Sequence, residues 1–452
     1  MRSNLFLTIF AIWLLMFPTS CKKYLDAKPD ISLATPTSVE SLQGILDNFR
    51  IMNTQGSEAT EIAADNYYLN DAKYNAMPGE RHQNAYLWKP HIFIGTDNND
   101  WVLEYNVVYN ANVVLDNMGA ISRTSVNAGA WNNVKGSALF FRGKAFYEIA
   151  QVWAKAYDSS SAQTDLGIPL RLTSDFNKSS SRANTQETYN RILEDLKASL
   201  PLLPLNPLIR YRPSKPAVYG MLSRVYLAMR NYQLAGVYAD SCLQMKSDLL
   251  DFNEVDTSKV YPFLSMQFSN PEDIFHSSSI STNYDLLYGR ADTVLYRSYD
   301  PDDLRKVVDF TKKTDGNFYY QGSYDGFENY TGIATDEMFL NRAESEARAG
   351  NVSAAMNDLN ELLIKRYRNG KFNPLIATSQ EDALTKVLTE RRKEMVFRMC
   401  RFTDIKRLNK EGATINVVRV IGGQIYTLVP DDPRCALPIP DDVIEFTRMA
   451  QN

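Results

Sequence analysis

Two similar helical stretches, 120 residues apart, restrict the fold of this 452-residue chain more than anything else in it. RNYQLAGVYADSCL (230–243) and AGNVSAAMNDLNEL (349–362) superpose with Asn231 on Asn351 and Ala235 on Ala355. In each, one helix closes at a turn near Asn and the next begins with a small residue facing back, so two helix axes can approach closely. Such a chain folds as antiparallel helix pairs of tetratricopeptide type, whose unit is about 34 residues. Leu222, Ser223 and Tyr226 fit the pattern upstream. Arg342, Ala343 and Glu346 fit it poorly, so the repeats are degenerate.

Apolar residues also recur at helical spacing over 101–118, 134–153, 187–200, 214–246, 336–366 and 379–409. Thr37 with Glu40 and Ser379 with Asp382 are start signals, and Pro201 is a stop. Trp101, Trp131 and Trp153 lie on the helical periodicity and are expected in the core. Residues 250–335 are loop-rich, with strand-like runs such as DTVLYRSY (292–299). EGATINVVRVIGGQIYTLV (411–429) reads as a β-hairpin about Gly422–Gly423, and ALPIPDDVIEF (436–446) as a Pro-bounded loop with a short helix. The expected architecture is mostly α. One domain spans 37–452, with a helical-repeat half (37–249) and a loop-rich half (250–452) that carries short strands and the last repeat helices.

The N-terminus points to a compartment. LFLTIFAIWLLMF (5–17) follows Arg2. Its length is too short for a hydrocarbon core of roughly 30 Å, so it reads as a signal-peptide core. Thr19 and Ser20 precede Cys21, the arrangement for cleavage before the Cys and lipid attachment to it. That makes 1–20 a lipoprotein signal peptide and 21–36 a tether; ordinary secretion with cleavage near Ser20 is the alternative. No other segment reaches 18 apolar residues. Cys242, Cys400 and Cys435 have no CxxC spacing and read as small buried hydrophobes, with a Cys400–Cys435 pair left open.

The chain carries 49 Lys and Arg against 53 Asp and Glu, so no basic field advertises a nucleic-acid partner. His82, His91 and His276 lack helical metal-ligand spacing, and there is no GxSxG, HExxH, Walker loop or GxGxxG. Asp302–Asp303, Asp431–Asp432 and Asp441–Asp442 read as solvated loops and caps, not as the separated carboxylates of a glycosidase. No cofactor is expected. TDNND (96–100) offers Asp97 and Asp100 as a weak Ca²⁺ set, in competition with a helix N-cap before Trp101. In ERRKEMVFRMCR (390–401), Arg391, Arg392, Lys393, Arg398 and Arg401 are interspersed with Glu390 and Glu394, with Asp404 downstream, and read as ion-pairing residues.

The conspicuous excess is aromatic: 26 Tyr, 21 Phe and 5 Trp. A sugar ring has an apolar C–H face that an aromatic plane can cover and a polar rim that amides and charges can satisfy. The rings singled out for this role are Tyr67, Tyr68, Tyr74, Tyr86 and Trp88, with Arg81 beside them, and Tyr284, Tyr288, Phe318, Tyr319, Tyr320 and Tyr324. Asn66, Asn70, Asn75 and Asn84 surround the first set, and core packing is the competing use of every ring.

Six stretches in order now support a family resemblance: CKKYLDAKP (21–29), LEYNVVYNANVVLDNM (103–118), KGSALFFRGKAFYEIAQVWAKAYD (135–158) with LGIPL (166–170), EMFLNRAESEARAGN (337–351), LTERRKEMVFRMCRFTDIKRL (388–408) and LPIPDDVIEF (437–446). Together they resemble the SusD/RagB family of surface lipoproteins. The resemblance implies a SusD-like fold with four tetratricopeptide-like helix pairs and a lipid anchor at Cys21 in the outer membrane. It also implies a SusC-like TonB-dependent β-barrel partner and a non-enzymatic role: capture of a nutrient, usually an oligosaccharide, for import. A peptide-capturing lid and a helical scaffold without small ligand are the alternatives. This chain departs from the family pattern at Arg398, where an acid is usual after the Phe, at Phe402, where Trp is common, and at Asp26, all that remains of the usual acidic stretch. The last leaves the periplasmic face open as an alternative to the surface.

Overall fold

The computed structural model describes residues 36–93, 99–279 and 288–452. Helices α1 (Val39–Leu46), α2 (Asp100–Met118), α3 (Ala128–Trp153), α4 (Thr185–Ser199), α5 (Lys215–Ala228) and α6 (Tyr232–Leu243) build the first half. Helices α7 (Thr335–Arg348), α8 (Val352–Leu363), α9 (Gln380–Glu394), α10 (Arg401–Asn409) and α11 (Asp441–Thr447) belong to the second. Side-chain caps start several of them: Asn99, Asn184, Ser214, Asn231 and Ser379 each accept a bond from a backbone N–H in the first turn. The capping box of α1 is Ser38–Ser41, one residue beyond the expected Thr37–Glu40.

Consecutive helices pack as antiparallel neighbours, α2 on α3, α3 on α4, α5 on α6 and α7 on α8, with α6 lying against α7. Asn231 and Asn351 stand at the starts of α6 and α8, and Ala235 and Ala355 are fully buried, as the repeat predicts. The closest approach is at Gly236, where a Cβ would lie 2.2 Å from Ser345 Oγ of α7. Helix α3 is the spine of the core, with Phe140, Phe141, Phe146 and Trp153 buried along it. Trp101 is buried beside Trp153, while Trp131 is half-buried and donates to Ile121 O. Trp153 donates to Pro438 O and Leu437 N to Val152 O, which seats the LPIP segment on the end of α3. Lys406 closes the same end by donating to Gln151 O and Ala154 O, and burial lowers its pKa to about 8.

The strands are short. β1 (Tyr67–Tyr68) pairs antiparallel with β2 (Arg290–Ala291), and β3 (Phe310–Lys312) with β4 (Phe318–Tyr320). β5 (Val417–Ile421) and β6 (Gln424–Leu428) form the expected hairpin, with Gly422 and Gly423 at φ 58° and 74° in its two-residue turn. Residues 293–298 form a helix instead of the expected strand, because Asp292 accepts from Leu295 N and starts a helical turn. Cys242, Cys400 and Cys435 are unpaired.

A buried ion network joins the halves. From α9, the connection after it and α10, Arg391 donates to Asp404 at 2.8 Å, Arg407 to Asp404 at 2.7 Å and to Glu344 of α7 at 2.6 Å, and Arg398 to Asp336 at 2.9 Å. Arg366 bridges Glu272 and Glu394, and Arg305 bridges Asp303, Glu390 and Glu394. Arg401 clamps Asp65 of the first half. The ion-pair reading of 390–404 therefore holds, but Asp303 is a buried member of the network and not a solvated loop acid. Burial alone would raise the Asp404 pKa; Arg391 and Arg407 overcome that and hold it at about 2. Removing one member leaves an uncompensated buried charge. Asp404→Ala is therefore expected to cost about 3–5 kcal/mol in urea unfolding, and a loss below about 1 kcal/mol would contradict the network's role.

His276 is buried between Asp273 (2.7 Å) and Asp325 (3.0 Å). Burial opposes its charge, but the two carboxylates raise its pKa from 6.5 to about 9. A raised pKa means stability that is complete below about 6.5 and is lost as pH climbs through about 9. The free-energy gap between wild type and His276→Gln should shrink by roughly 3 kcal/mol across that window. Unfolding at both ends measures it, and a gap that stays constant refutes the charged triad.

Candidate functional site

The predicted rings divide sharply by burial. Tyr67, Tyr86 and Trp88 are interior and enclose one guanidinium: Arg419 of β5 lies over all three, 4.3 Å from the Tyr86 ring, and donates to Tyr67 O and Ile62 O. Trp88 also donates to Ala63 O, and the Tyr86 hydroxyl accepts from Leu69 N. Tyr74 is buried against Tyr86. Tyr320 and Tyr67 flank Phe397, and Tyr324 and Tyr330 flank Arg398. Phe397 and Met399 hold positive φ, 54° and 56°, a costly conformation, and the rings of Tyr67 and Tyr320 support it at Phe397. Tyr67, Tyr74, Tyr86, Trp88, Tyr319, Tyr320 and Tyr324 are thus corrected from ligand-facing to core residues, since they are buried against the protein's own side chains.

What remains accessible forms one patch. The β1–β2 pairing sets Tyr68 opposite Arg290 and brings the segment after residue 62 to the segment after residue 287. Arg290 lies over the Tyr68 ring and pairs with Asp315 at 2.9 Å. The Tyr68 hydroxyl donates to Asn317 Oδ1 at 3.3 Å, and the Tyr319 hydroxyl to Asp315 at 2.8 Å. Below the patch Lys313 covers the buried Tyr319 ring at 4.0 Å, and at its surface Lys73 lies 4.4 Å over the ring of Tyr288, which is 36% exposed. Phe318 is half-buried and stacked on Tyr296, with ring centroids 3.7 Å apart.

Local chemistry explains this shape. Asp315 and Gly316 (φ 80°) turn β3 into β4, and Gly316 N donates to Lys313 O. Asn70 caps a one-turn helix by accepting from Lys73 N, which aims Lys73 at the patch. The backbone N–H of Asn317, then Tyr319 and Arg290, hold the Asp315 carboxyl well below the usual carboxylate range. Burial and the neighbouring Lys73 lower the Lys313 pKa. Reasoning from sequence missed Lys73, Arg290, Lys313, Asp315 and Asn317. The Asp–Gly hairpin signal could have found the last two, whereas Arg290 enters only through a strand pairing more than 200 residues long-range.

Other predicted positions lie elsewhere. Arg81 lines a separate cleft of about 440 Å³ with Arg50, His82 and Asp100. Asn66 and Asn84 are buried, the first donating to Glu61 and the second to His91 O. Cys21, Tyr284 and Asp97 lie outside the described residues. Asp100, the other half of the Ca²⁺ suggestion, accepts from Ser57 Oγ and Ala59 N at 2.8 Å, and burial raises its pKa. Asn99 makes the N-cap, so the competing reading of TDNND is the one observed. Glu272, Asp336 and Glu394 converge within 4.8 Å, a spacing suited to a metal ion. Arg366, Arg398 and Arg305 already neutralise them. The division predicts different costs: Trp88→Ala should lose about 3–5 kcal/mol, and Tyr288→Ala should stay within about 0.5 kcal/mol of wild type. Equal losses in thermal or urea unfolding would contradict the assignment.

The chain is similar to known proteins over most of its length. Residues 23–227 match a family model described as starch-binding associating with outer membrane, and residues 302–433 match the SusD family model. No curated protein matches the chain in sequence. A SusD superfamily protein of Bacteroides thetaiotaomicron is 20% identical with TM-score 0.72, covering 92% of this chain and 99% of its own. A SusD-like carbohydrate binding protein of Bacteroides vulgatus is 20% identical with TM-score 0.66, covering 91% and 97%. A laminarin binding SusD-like protein is 14% identical with TM-score 0.67, covering 92% and 99%. At these identities the solved structures establish the shared fold. With the two family models and the ordered helix pairs described above, they lead to one conclusion: the chain belongs to the SusD/RagB family.

Proposed function

We propose that the protein is a lipid-anchored receptor that captures an oligosaccharide on the Tyr68–Tyr288 patch and delivers it, without chemical change, to a SusC-like TonB-dependent barrel in the outer membrane. The observation that carries this reading is the patch itself: accessible tyrosine rings set among Asn317, Asp315, Arg290 and Lys73, assembled from both halves of the chain. Ring faces suit the C–H surface of a pyranose, and the amide and charged groups suit its hydroxyl rim. The description of the family model that matches residues 23–227, and the carbohydrate and laminarin named for two structural relatives, support the ligand class. The anchor rests on Arg2, the apolar run 5–17 and Cys21. No helix among the described residues is long and apolar enough to cross a membrane.

Affinity electrophoresis through gels containing laminarin, starch, xylan or mannan tests the ligand. Retardation by at least one is expected, and Tyr68→Ala with Tyr288→Ala should weaken it about tenfold or more while the unfolding midpoint holds. Binding of peptides and of no glycan would overturn the carbohydrate assignment in favour of a peptide-capturing lid. Cys21→Ala is expected to yield a folded protein that stays in the aqueous phase on detergent partitioning; persistence in the detergent phase would refute lipidation.

A further inference from the structure

A second aromatic pocket lies away from the patch and shares no residue with it. It occupies about 220 Å³ between α2, the loop 171–180 and α11. Trp101 and Tyr105 pack against each other at 4.7 Å and form its floor, and Tyr105 is fixed by donating to Pro169 O at 2.8 Å. Tyr109 (47% exposed) and Phe176 (82% exposed) flank it.

The loop that carries Phe176 is tied down from several sides. Arg171 donates to Asp175 O, Lys178 O and Ser180 Oγ. Asp116 of α2 accepts from Ser174 N, Ser174 Oγ and Thr173 Oγ1. Asn112, also of α2, donates to Arg171 O. Holding a loop this firmly while its one phenylalanine points into water has no benefit for folding, because an exposed Phe contributes little burial. It preorganises a contact surface.

The lining chemistry narrows the ligand. Arg171 is the one charged side chain lining the pocket among the described residues, and its bonds go to acceptors of its own loop. What faces the space is aromatic and aliphatic surface with a rim of Thr and Ser hydroxyls. With Arg171 hydrogen-bonded to its own loop and no other charged side chain on the lining among the described residues, this surface suits an uncharged molecule with one apolar face and a hydroxyl edge. The volume lies below the 300–1,000 Å³ usual for drug-sized ligands and suits a single ring. We infer that this pocket is a second glycan subsite that takes one neutral pyranose unit, so that a long polysaccharide engages the protein at two places. The inference rests on the reading of the protein as a glycan receptor and adds a site to it. Two weak sites on one chain raise the avidity for a polymer without improving either contact.

Met449 lines the pocket and supplies a reporter. Full-length protein carrying ¹³C-methyl methionine, with Met449 assigned through Met449→Leu, is titrated with the methyl glycosides of glucose, galactose, mannose and xylose to about 100 mM, well above a millimolar Kd. The expected result is a saturable shift of the Met449 methyl with at least one glycoside. Phe176→Ala or Tyr109→Ala should weaken it about tenfold, and Tyr288→Ala should leave it unchanged. No shift with any of the four, or a shift indifferent to Phe176→Ala, overturns the subsite even if polysaccharide retardation through Tyr288 is intact. Conversely, a Met449 response in a protein whose polysaccharide retardation ignores Tyr68→Ala and Tyr288→Ala would sink the patch and leave the pocket standing.

Discussion

Buried guanidinium groups govern this structure. A buried charge is tolerated only when opposite charge and hydrogen bonds surround it, and supplying those partners dictates what must pack where. Arg391, Arg398, Arg401 and Arg407 come from one stretch of about twenty residues, yet their carboxylates come from α7, α10 and the segment before β1. Arg305 and Arg366 extend the same set to the loops around residues 272, 303 and 366, through Glu272, Asp303, Glu390 and Glu394. The helix pairs and the loops are therefore not two bodies resting on each other. They share one ionic interior.

The same demand accounts for the aromatic excess. Arg419 needs an enclosure and takes Tyr67, Tyr86 and Trp88; Arg398 takes Tyr324 and Tyr330. A guanidinium over an aromatic face gains roughly 1–2 kcal/mol when desolvated, and the ring contributes its own burial. An aromatic count that suggests a large binding surface thus resolves mostly into internal packing. The rings that reach solvent, Tyr68 and Tyr288, lie at the seam where β1 meets β2 and the interior ends. The seam is also where both halves contribute polar groups, so a small rearrangement of either changes the patch.

Neighbouring residues show why the site was only partly legible. Tyr67 and Tyr68 are identical in type and adjacent, yet one is buried over Arg419 and the other reaches the patch, because successive strand residues face opposite sides. A two-residue strand is too short for that alternation to register in sequence. Asp302 and Asp303 divide the same way, the second held by Arg305 in the interior. The run 292–299 has strand-like composition, but a single Asp292 cap made it helical. By contrast α2, α3 and the Asn-started helices α6 and α8 were legible because their patterns repeat over many turns, and the β5–β6 hairpin because Gly422–Gly423 fits one turn geometry.

From the sequence alone came whatever depends on local or periodic order: the helical repeats, the ion-pairing character of 390–404, and a family resemblance carried by an ordered set of short motifs. Tertiary structure alone decided which rings face water, which carboxylate each arginine takes, and that residues near 68, 290 and 315 form a single patch. Those outcomes depend on contacts between segments hundreds of residues apart. Such contacts are set by which charges and rings can be buried together, and no local pattern in one chain records that choice.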